Sequence, residues 1–67
     1  MLSARKIVRA PQYQRVARRA YIANRLLGGT VHNSTVVAVL AAVTHYRVSE
    51  HTVRMYIRTI PDPPGLT

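Results

Sequence analysis

The sequence predicts a compact all-α domain of three helices, and three observations lead to this fold class. Apolar side chains recur at helical spacing over residues 12–27, 36–46 and 50–60. A Gly-Gly pair separates the first two segments, and a proline follows the third. A chain of 67 residues without cysteine has room for one small core and no disulfide to support it. We therefore expect the stability of the domain to come from close helix packing or from association.

The charge of the chain is strongly one-sided. The formal net charge is +8, and the only two acidic residues are Glu50 and Asp62, so residues 1–49 contain none. Nine of the ten basic side chains are arginine, which suits bidentate contacts with phosphate and guanine. Such a chain repels copies of itself and attracts polyanions. Nucleic acid is the first expected partner, and an anionic membrane surface is the second.

Residues 1–10 form a predicted basic N-terminal arm or short helix. Its cationic side chains, Arg5, Lys6 and Arg9, can follow phosphates or lie in a minor groove, and a frayed, solvated terminus is the alternative. The segment lacks the apolar block of a secretory signal. No run in the chain approaches the roughly 20 apolar residues of a transmembrane helix. We therefore expect a cytoplasmic, nucleoid-associated protein.

The first predicted helix has an apolar face and an arginine face. The apolar face consists of Tyr13, Val16, Ala17, Ala20, Ala23 and Leu27. The opposite face carries Arg15, Arg18, Arg19 and Arg25. With no acid to balance them, these arginines favour phosphate contact over a merely solvated surface. Gly28-Gly29 follows the helix, and one of the two glycines can adopt the left-handed conformation of a C-terminal cap.

The second predicted helix covers residues 36–46 and follows a polar connector at residues 30–35. The connector offers several capping side chains, namely Asn33, Ser34 and Thr35. The predicted apolar stripe consists of Val36, Val39, Leu40, Val43 and Tyr46. The valines would also suit a strand, but the length and alanine content of the segment favour a buried helix. Its alanines would let a neighbouring helix approach closely.

The third predicted helix begins after Ser49, which suits the N-cap position. Its buried stripe consists of Val53, Tyr56, Ile57 and Ile60, at i, i+3, i+4 and i+7. His51, Arg54, Met55 and Arg58 fall on the opposite side. Pro61 then prevents the helix from continuing, so residues 61–67 are predicted to form an extended, polyproline-like tail.

The run V-S-E-H-T-V-R-M-Y-I-R resembles the turn and recognition helix of a helix-turn-helix DNA-binding protein. Within that class it is most similar to MerR-like and phage excisionase-like sequences, which often carry a T-[VI]-R-x-Y core. The resemblance implies a helix-turn-helix domain over residues 11–60. It also implies DNA-binding roles for side chains of the turn and the third helix, namely Arg47, Ser49, Glu50, His51, Thr52, Arg54, Met55 and Arg58.

Two features depart from that family pattern. Many helix-turn-helix proteins have glycine in the turn, where one residue adopts a left-handed conformation, and this chain has Arg47. MerR-like proteins also continue into a wing and a coiled coil, which do not follow Ile60 in this sequence. An ordinary helical hairpin with a capped second helix is the simpler alternative.

Catalytic and metal chemistry is not expected. The two carboxylates are far apart in sequence, and no cysteine or glycine-rich phosphate loop is present. The three histidines, His32, His45 and His51, have no recognised metal-ligand spacing. We therefore expect no enzyme, no cofactor and no metal.

The sequence as a whole predicts specific binding of duplex DNA by a small regulator, either a transcription regulator or a recombination directionality factor of a phage or mobile element. A structural RNA-binding protein, such as a ribosome-associated one, remains an alternative because charge alone would serve it equally well. A small protein that binds and modulates host or phage transcription or recombination machinery is a further alternative. A cationic membrane-active helix is disfavoured by the capped turn and the separate apolar stripes.

Self-association is a separate expectation. Ile22 and Leu26 fall among the arginines of the first helix, where large apolar side chains need a cover. Covering by Leu2, Ile7 and Val8 of the N-terminal segment is the preferred explanation, a second subunit is the next, and simple exposure of single side chains is the third. Because copies with a charge of +8 repel each other, we expect assembly on DNA rather than in free solution.

Overall fold

The computed structural model describes residues 11–66, and that part of the chain contains three helices and no strand. The helices are α1 (Gln12–Leu26), α2 (Val31–His45) and α3 (Glu50–Ile57). The predicted all-α class is therefore confirmed. The predicted arm at residues 1–10 lies outside the described residues.

The end of α1 is fixed by two glycines. Gly28 has a φ of +98°, and its N–H donates to the carbonyl of Arg25 at 3.0 Å. The N–H of Gly29 donates to the carbonyl of Asn24 at 2.8 Å. These two bonds form a Schellman motif, which satisfies carbonyls that the helix leaves without partners. The left-handed cap predicted within Gly28-Gly29 is confirmed, and the structure assigns it to Gly28.

A buried polar contact joins α1 to α2 immediately beside this turn. The fully buried Ser34 hydroxyl donates to Asn24 Oδ1 at 2.8 Å. A Cβ atom at Gly29 would overlap that same Oδ1 and would lie 2.9 Å from the Asn24 carbonyl oxygen. Glycine at position 29 is therefore needed so that the Asn24 side chain can reach Ser34.

We expect Gly29→Ala to lower the free energy of unfolding by about 1–3 kcal/mol, because displacing Asn24 leaves the buried Ser34 hydroxyl without its partner. Urea denaturation measures the effect. Ala23→Gly, on the exposed side of α1, is the control for a change of the same size, and it should cost no more than about 1 kcal/mol. A Gly29→Ala protein as stable as the parent would contradict the proposed role of this glycine.

The predicted polar connector at residues 30–35 is wrong, because most of it forms the first turn of α2. Thr30 is the N-cap, and its Oγ1 accepts from the Asn33 N–H at 3.0 Å. None of the three predicted caps is used: Asn33, Ser34 and Thr35 lie inside the helix. Four residues of capping type stand close together here, so local preference alone did not select among them.

The contact between α1 and α2 is made largely by small side chains. Ala17 of α1 packs into the core with Ala38 and Ala42 of α2, and all three are fully buried. The predicted place of Leu40 in the buried stripe is wrong, because its side chain is 58% exposed. Since α2 is apolar on nearly every side, periodicity did not indicate which side faces the core. Alanines occupy that side because they allow the helix axes to approach closely.

The buried face of α1 also differs from the predicted one. Tyr21 is buried, whereas Ala23 is exposed and Leu27 is 88% exposed. The core side of the helix is therefore rotated toward Tyr21, which α3 and the C-terminal segment cover. Ile22 is half-buried and packs against the core, while Leu26 is 59% exposed.

The packing of α3 agrees with the predicted stripe. Val53, Ile57 and Ile60 are buried, and the half-buried Tyr56 meets Tyr13 of α1 edge-to-face at 6.2 Å between ring centroids. The regular helix ends at Ile57 rather than Ile60. Its last residues form a tighter turn in which the N–H of Ile60 donates to the carbonyl of Ile57 at 3.0 Å.

The chain after α3 returns to α1. Asp62 Oδ2 lies 3.2 Å from Nη2 of Arg25, and the Tyr21 hydroxyl donates to Asp62 Oδ1 at 3.4 Å. Burial raises the pKa of Tyr21, and the negative charge of Asp62 raises it further. The neutral phenol is therefore favoured in the folded state.

This shift has a consequence for stability in alkali. Because the pKa of Tyr21 is raised in the folded state above its ordinary value of about 10, its contribution to stability is complete below that pH and is lost as the pH rises through the folded pKa. We expect the midpoint of urea denaturation to decrease as the pH is raised from about 8 to about 11. Tyr21→Phe should reduce that decrease. Tyr46→Phe, which removes the hydroxyl that donates to Gln12, is the control and should retain it. An equal alkaline loss in the parent and Tyr21→Phe proteins would contradict this assignment.

Within residues 11–66, none of the helices combines the length and apolar character that crossing a bilayer requires.

Candidate nucleic-acid interface

The connection between α2 and α3 comprises residues 46–49. The N–H of Tyr46 donates to the Ala42 carbonyl at 3.0 Å, and Tyr46 itself is extended, with φ −134° and ψ 153°. Arg47 is exposed and does not have a positive φ, since every residue with positive φ in the described chain is glycine. The left-handed conformation expected in the turn is therefore not found at Arg47. The reversal is made instead by a three-residue turn centred on Arg47, in which the N–H of Val48 donates to the Tyr46 carbonyl at 3.0 Å.

The predicted N-cap of α3 is confirmed. Ser49 Oγ accepts from the Thr52 N–H at 3.1 Å and donates to Thr52 Oγ1 at 2.9 Å. Both side chains are exposed, but each is already held by the other. Ser49 and Thr52 therefore fix where the helix begins and how its first turn is oriented.

The outer face of α3 consists of His51, Met55 and Arg58, which are all exposed. They recur at i, i+4 and i+7, on the side of the helix opposite to the buried Val53 and Ile57. The buried residues anchor the helix to α1 and α2 while this face stays open. An open helix face with an exposed arginine can enter a groove or meet an anionic surface.

Glu50 and Arg54 flank the outer face and bind each other. Arg54 Nε donates to Glu50 Oε2 at 2.7 Å, as an i, i+4 pair on the helix surface. Both side chains are substantially exposed, so the pair contributes about 1 kcal/mol or less and can open for a competing anion. Glu50 also stands in the first turn, where a negative charge is favourable.

His32 is a candidate that the sequence did not indicate. It is exposed at the start of α2 and lines a groove with Thr35, Arg54 and Arg58. The packing of α3 against α2 brings His32 together with these two arginines from positions more than twenty residues apart. A prediction that began α2 at Val31 would have placed His32 on a helix. The proximity of His32 to Arg58, however, depends on tertiary packing.

The arginines of α1 do not join the outer face of α3. Arg15 and Arg19 stand two residues before and after the buried Ala17, so each points about 200° away from it around the helix. Arg18 is also exposed. The helix thus carries a second cationic surface of its own, on the side turned away from the core.

Arg25 has a structural role in the fold. Its side chain is only 17% exposed, it forms the ion pair with Asp62, and its Nη1 donates to the Gly29 carbonyl at 2.8 Å. These contacts join the end of α1 to the C-terminal segment. The remaining predicted cationic site residues, Arg5, Lys6 and Arg9, lie outside the described residues.

A metal centre is not evident in the described part of the chain, where no group of three or more histidine or acidic side chains is placed to hold an ion.

Comparison with known proteins gives no relative for this chain. No family model matches it, no curated protein matches it, and no solved structure matches it. The resemblance to MerR-like and excisionase-like recognition helices therefore rests on the run V-S-E-H-T-V-R-M-Y-I-R alone.

Proposed function

We propose that this protein binds duplex DNA by docking the outer face of α3 in the major groove. The observation that carries the proposal is the division of α3 into a buried stripe and an open cationic face, with Arg58 on the open side. An α-helix with its side chains is about 10–12 Å across, which matches a major groove about 12 Å wide. The Ser49 cap fixes where the helix begins and how its first turn is oriented.

The side chains on this face suit distinct contacts. Arg58 can donate two hydrogen bonds to guanine, Met55 can contact a thymine methyl group, and His51 can donate to a base edge or a phosphate. His32 lines a groove with Arg58, and Arg47 is exposed in the turn before α3, so both suit contacts with neighbouring phosphates. Arg54 can contribute once its pair with Glu50 opens.

The accounting of charge supports a polyanionic partner. Both acidic side chains of the chain are already paired, Glu50 with Arg54 and Asp62 with Arg25. The exposed arginines Arg47 and Arg58 therefore have no carboxylate side chain left to pair with. Nucleic acid supplies the missing negative charge.

The structure offers less to single-stranded RNA than to duplex DNA. RNA modules commonly stack unpaired bases on exposed aromatic rings. All four tyrosines of this chain, Tyr13, Tyr21, Tyr46 and Tyr56, are buried or half-buried, and Tyr13 and Tyr56 pack on each other. This favours recognition through a helix over recognition through base stacking.

Within this proposal, the residues that resemble MerR-like and excisionase-like recognition helices make the protein a small helix-turn-helix regulator. It would act as a transcription regulator or a recombination directionality factor of a phage or mobile element, and it would associate with the nucleoid through DNA.

The first test is salt-dependent binding to a duplex selected from a genomic or random pool. If α3 and its neighbours neutralise about four to six phosphates, the affinity should fall by roughly two to three orders of magnitude between about 50 and 200 mM salt. Fluorescence anisotropy of the labelled duplex measures this fall. Equal affinity for a scrambled duplex, single-stranded DNA and a structured RNA at physiological salt would contradict the proposal, and a preference for the RNA would favour the ribosome-associated alternative.

A further inference from the structure

The side of α1 that faces away from the core has no part in the DNA interface proposed above. This outer α1 surface is a shallow groove lined by Arg15, Arg18, Arg19, Ile22, Ala23 and Leu26. Leu26 stands nine residues after the buried Ala17, which places it about 180° away around the helix. Its side chain is 59% exposed, and Ile22 is half-buried beside it.

The surface has the spacing of a helix-pairing seam. Arg15, Arg19, Ile22 and Leu26 are separated by four, three and four residues, which is the spacing of the core positions in a coiled coil. The first half of the seam is cationic and the second half is apolar. The exposed Ala23 adjoins the apolar half and leaves room for a close approach.

The rest of this chain is poorly suited to cover the seam. Both acidic side chains are engaged elsewhere, so none is left for Arg15, Arg18 or Arg19. Residues 1–10 add three further cationic side chains, and a second copy of the chain would bring another +8. Residues 1–10 or a second copy packed on the seam would each bring positive charges close to Arg15, Arg18 and Arg19, which is unfavourable. The expected covering of Ile22 and Leu26 by Leu2, Ile7 and Val8 lies outside the described residues, and it would bring Arg5, Lys6 and Arg9 toward the arginines of α1.

Nucleic acid would satisfy only half of the seam. Phosphates can pair with Arg15 and Arg19, but they leave the Leu26 side chain in water. A ligand with both carboxylates and aliphatic side chains satisfies both halves.

From this combination we infer that the outer α1 surface docks an acidic amphipathic helix of a partner protein. Carboxylates of that helix pair with Arg15 and Arg19, and its aliphatic side chains pack on Ile22 and Leu26. The seam spans residues 15–26, about 17 Å along the helix, so a partner helix of about three turns covers it. The protein would then hold DNA on α3 and a protein partner on α1, through separate surfaces.

The probe for this inference is a fluorescein-labelled synthetic helix with glutamate at the seam positions of one half and leucine at those of the other. Its anisotropy is titrated with the full chain at physiological salt. We expect Leu26→Ser to weaken binding about tenfold or more, because the apolar half of the seam is lost. Leu40→Ser is the matched control, since Leu40 is 58% exposed on α2. The affinity of this variant for the probe should equal that of the parent.

A charge reversal tests the cationic half. The double variant Arg15→Glu, Arg19→Glu should lose affinity for the glutamate probe. It should gain affinity for the same helix with lysine in place of glutamate. A salt-induced aggregate or a misfolded variant would not show this exchange of preference. Circular dichroism of each variant checks that the helices are retained.

Several outcomes would overturn the inference. The first is that the probe does not bind at protein concentrations up to about 100 µM. The second is that Leu26→Ser and Leu40→Ser lose equal affinity for the probe. The third is that excess duplex DNA displaces the probe. Cosedimentation with phosphatidylcholine–phosphatidylglycerol vesicles that depends on Leu26, without binding of the probe, would assign the surface to a membrane instead. Leu26→Ser should leave duplex binding unchanged and Arg58→Ala should leave probe binding unchanged, so failure of this inference and failure of the DNA proposal are distinguishable.

Discussion

Arg58→Ala is expected to weaken binding of the selected duplex by about 1–3 kcal/mol, roughly a 5- to 150-fold rise in Kd. Arg58 is exposed on the outer face of α3, beside His32 and Arg54 in the groove between α2 and α3. On the proposal that α3 enters the major groove, the Arg58 guanidinium makes a bidentate contact with guanine. Fluorescence anisotropy with the selected duplex and with a scrambled duplex measures both the affinity and the preference between them.

The matched control is Arg18→Ala, which removes the same charge from an exposed position on α1. If Arg58 contacts a base, Arg58→Ala should lower the affinity for the selected duplex more than the affinity for the scrambled one. Arg18→Ala should change neither affinity by more than a small factor. If Arg58 contacts only phosphate, both duplexes should weaken equally. Binding by Arg58→Ala that equals the parent on both duplexes would remove the outer face of α3 from the proposed interface.

Val53→Ala is expected to lower the free energy of unfolding by about 2–3 kcal/mol. The substitution removes two methyl groups from a side chain that is fully buried between α3 and the rest of the core, and it leaves a cavity. In so small a domain this is a large share of the total stability. Thermal and urea denaturation followed by circular dichroism measure the loss.

Val37→Ala removes the same two methyl groups from a side chain on α2 that is 39% exposed, and should cost well under half as much. DNA binding by Val53→Ala, measured well below its melting temperature, should remain close to that of the parent, because the substitution leaves the outer face of α3 intact. Equal stability of the two valine variants would mean that α3 is not anchored through Val53.

The third helix was predictable because its signals are local. A serine at the N-cap bonds to a backbone N–H three residues away, and the stripe of Val53, Ile57 and Ile60 stands out because exposed polar residues occupy much of the rest of the helix. Both features were read correctly from the sequence. The outer face of α3 follows from them by helical geometry, so the centre of the candidate site was also predictable.

The second helix shows where local signals fail. Almost every position from Val36 to Val43 is apolar, so hydrophobicity gave the existence of a helix and not its orientation. Leu40 was placed inside and is exposed, because the small Ala38 and Ala42 give α1 and α3 a closer approach. Ser34 resembled a loop residue, and only the arrival of Asn24 from α1 made its burial favourable.

The candidate site was altered in the same way by contacts that are distant in sequence. Arg25 was predicted to contact phosphate, but the chain after α3 brings Asp62 beside it. His32 was unassigned, but the packing of α3 on α2 brings it beside Arg58.

The sequence by itself determined the helical class, the cap and inner stripe of α3, the glycine stop after α1 and the excess of positive charge. Each of these depends on neighbours within about four residues or on composition alone. The tertiary structure decided which side of α1 and α2 is buried, which arginines are neutralised, and that the exposed arginines of α1 and α3 belong to two separate surfaces. Those choices depend on how closely whole helices can approach and on where the two carboxylates of the chain come to lie.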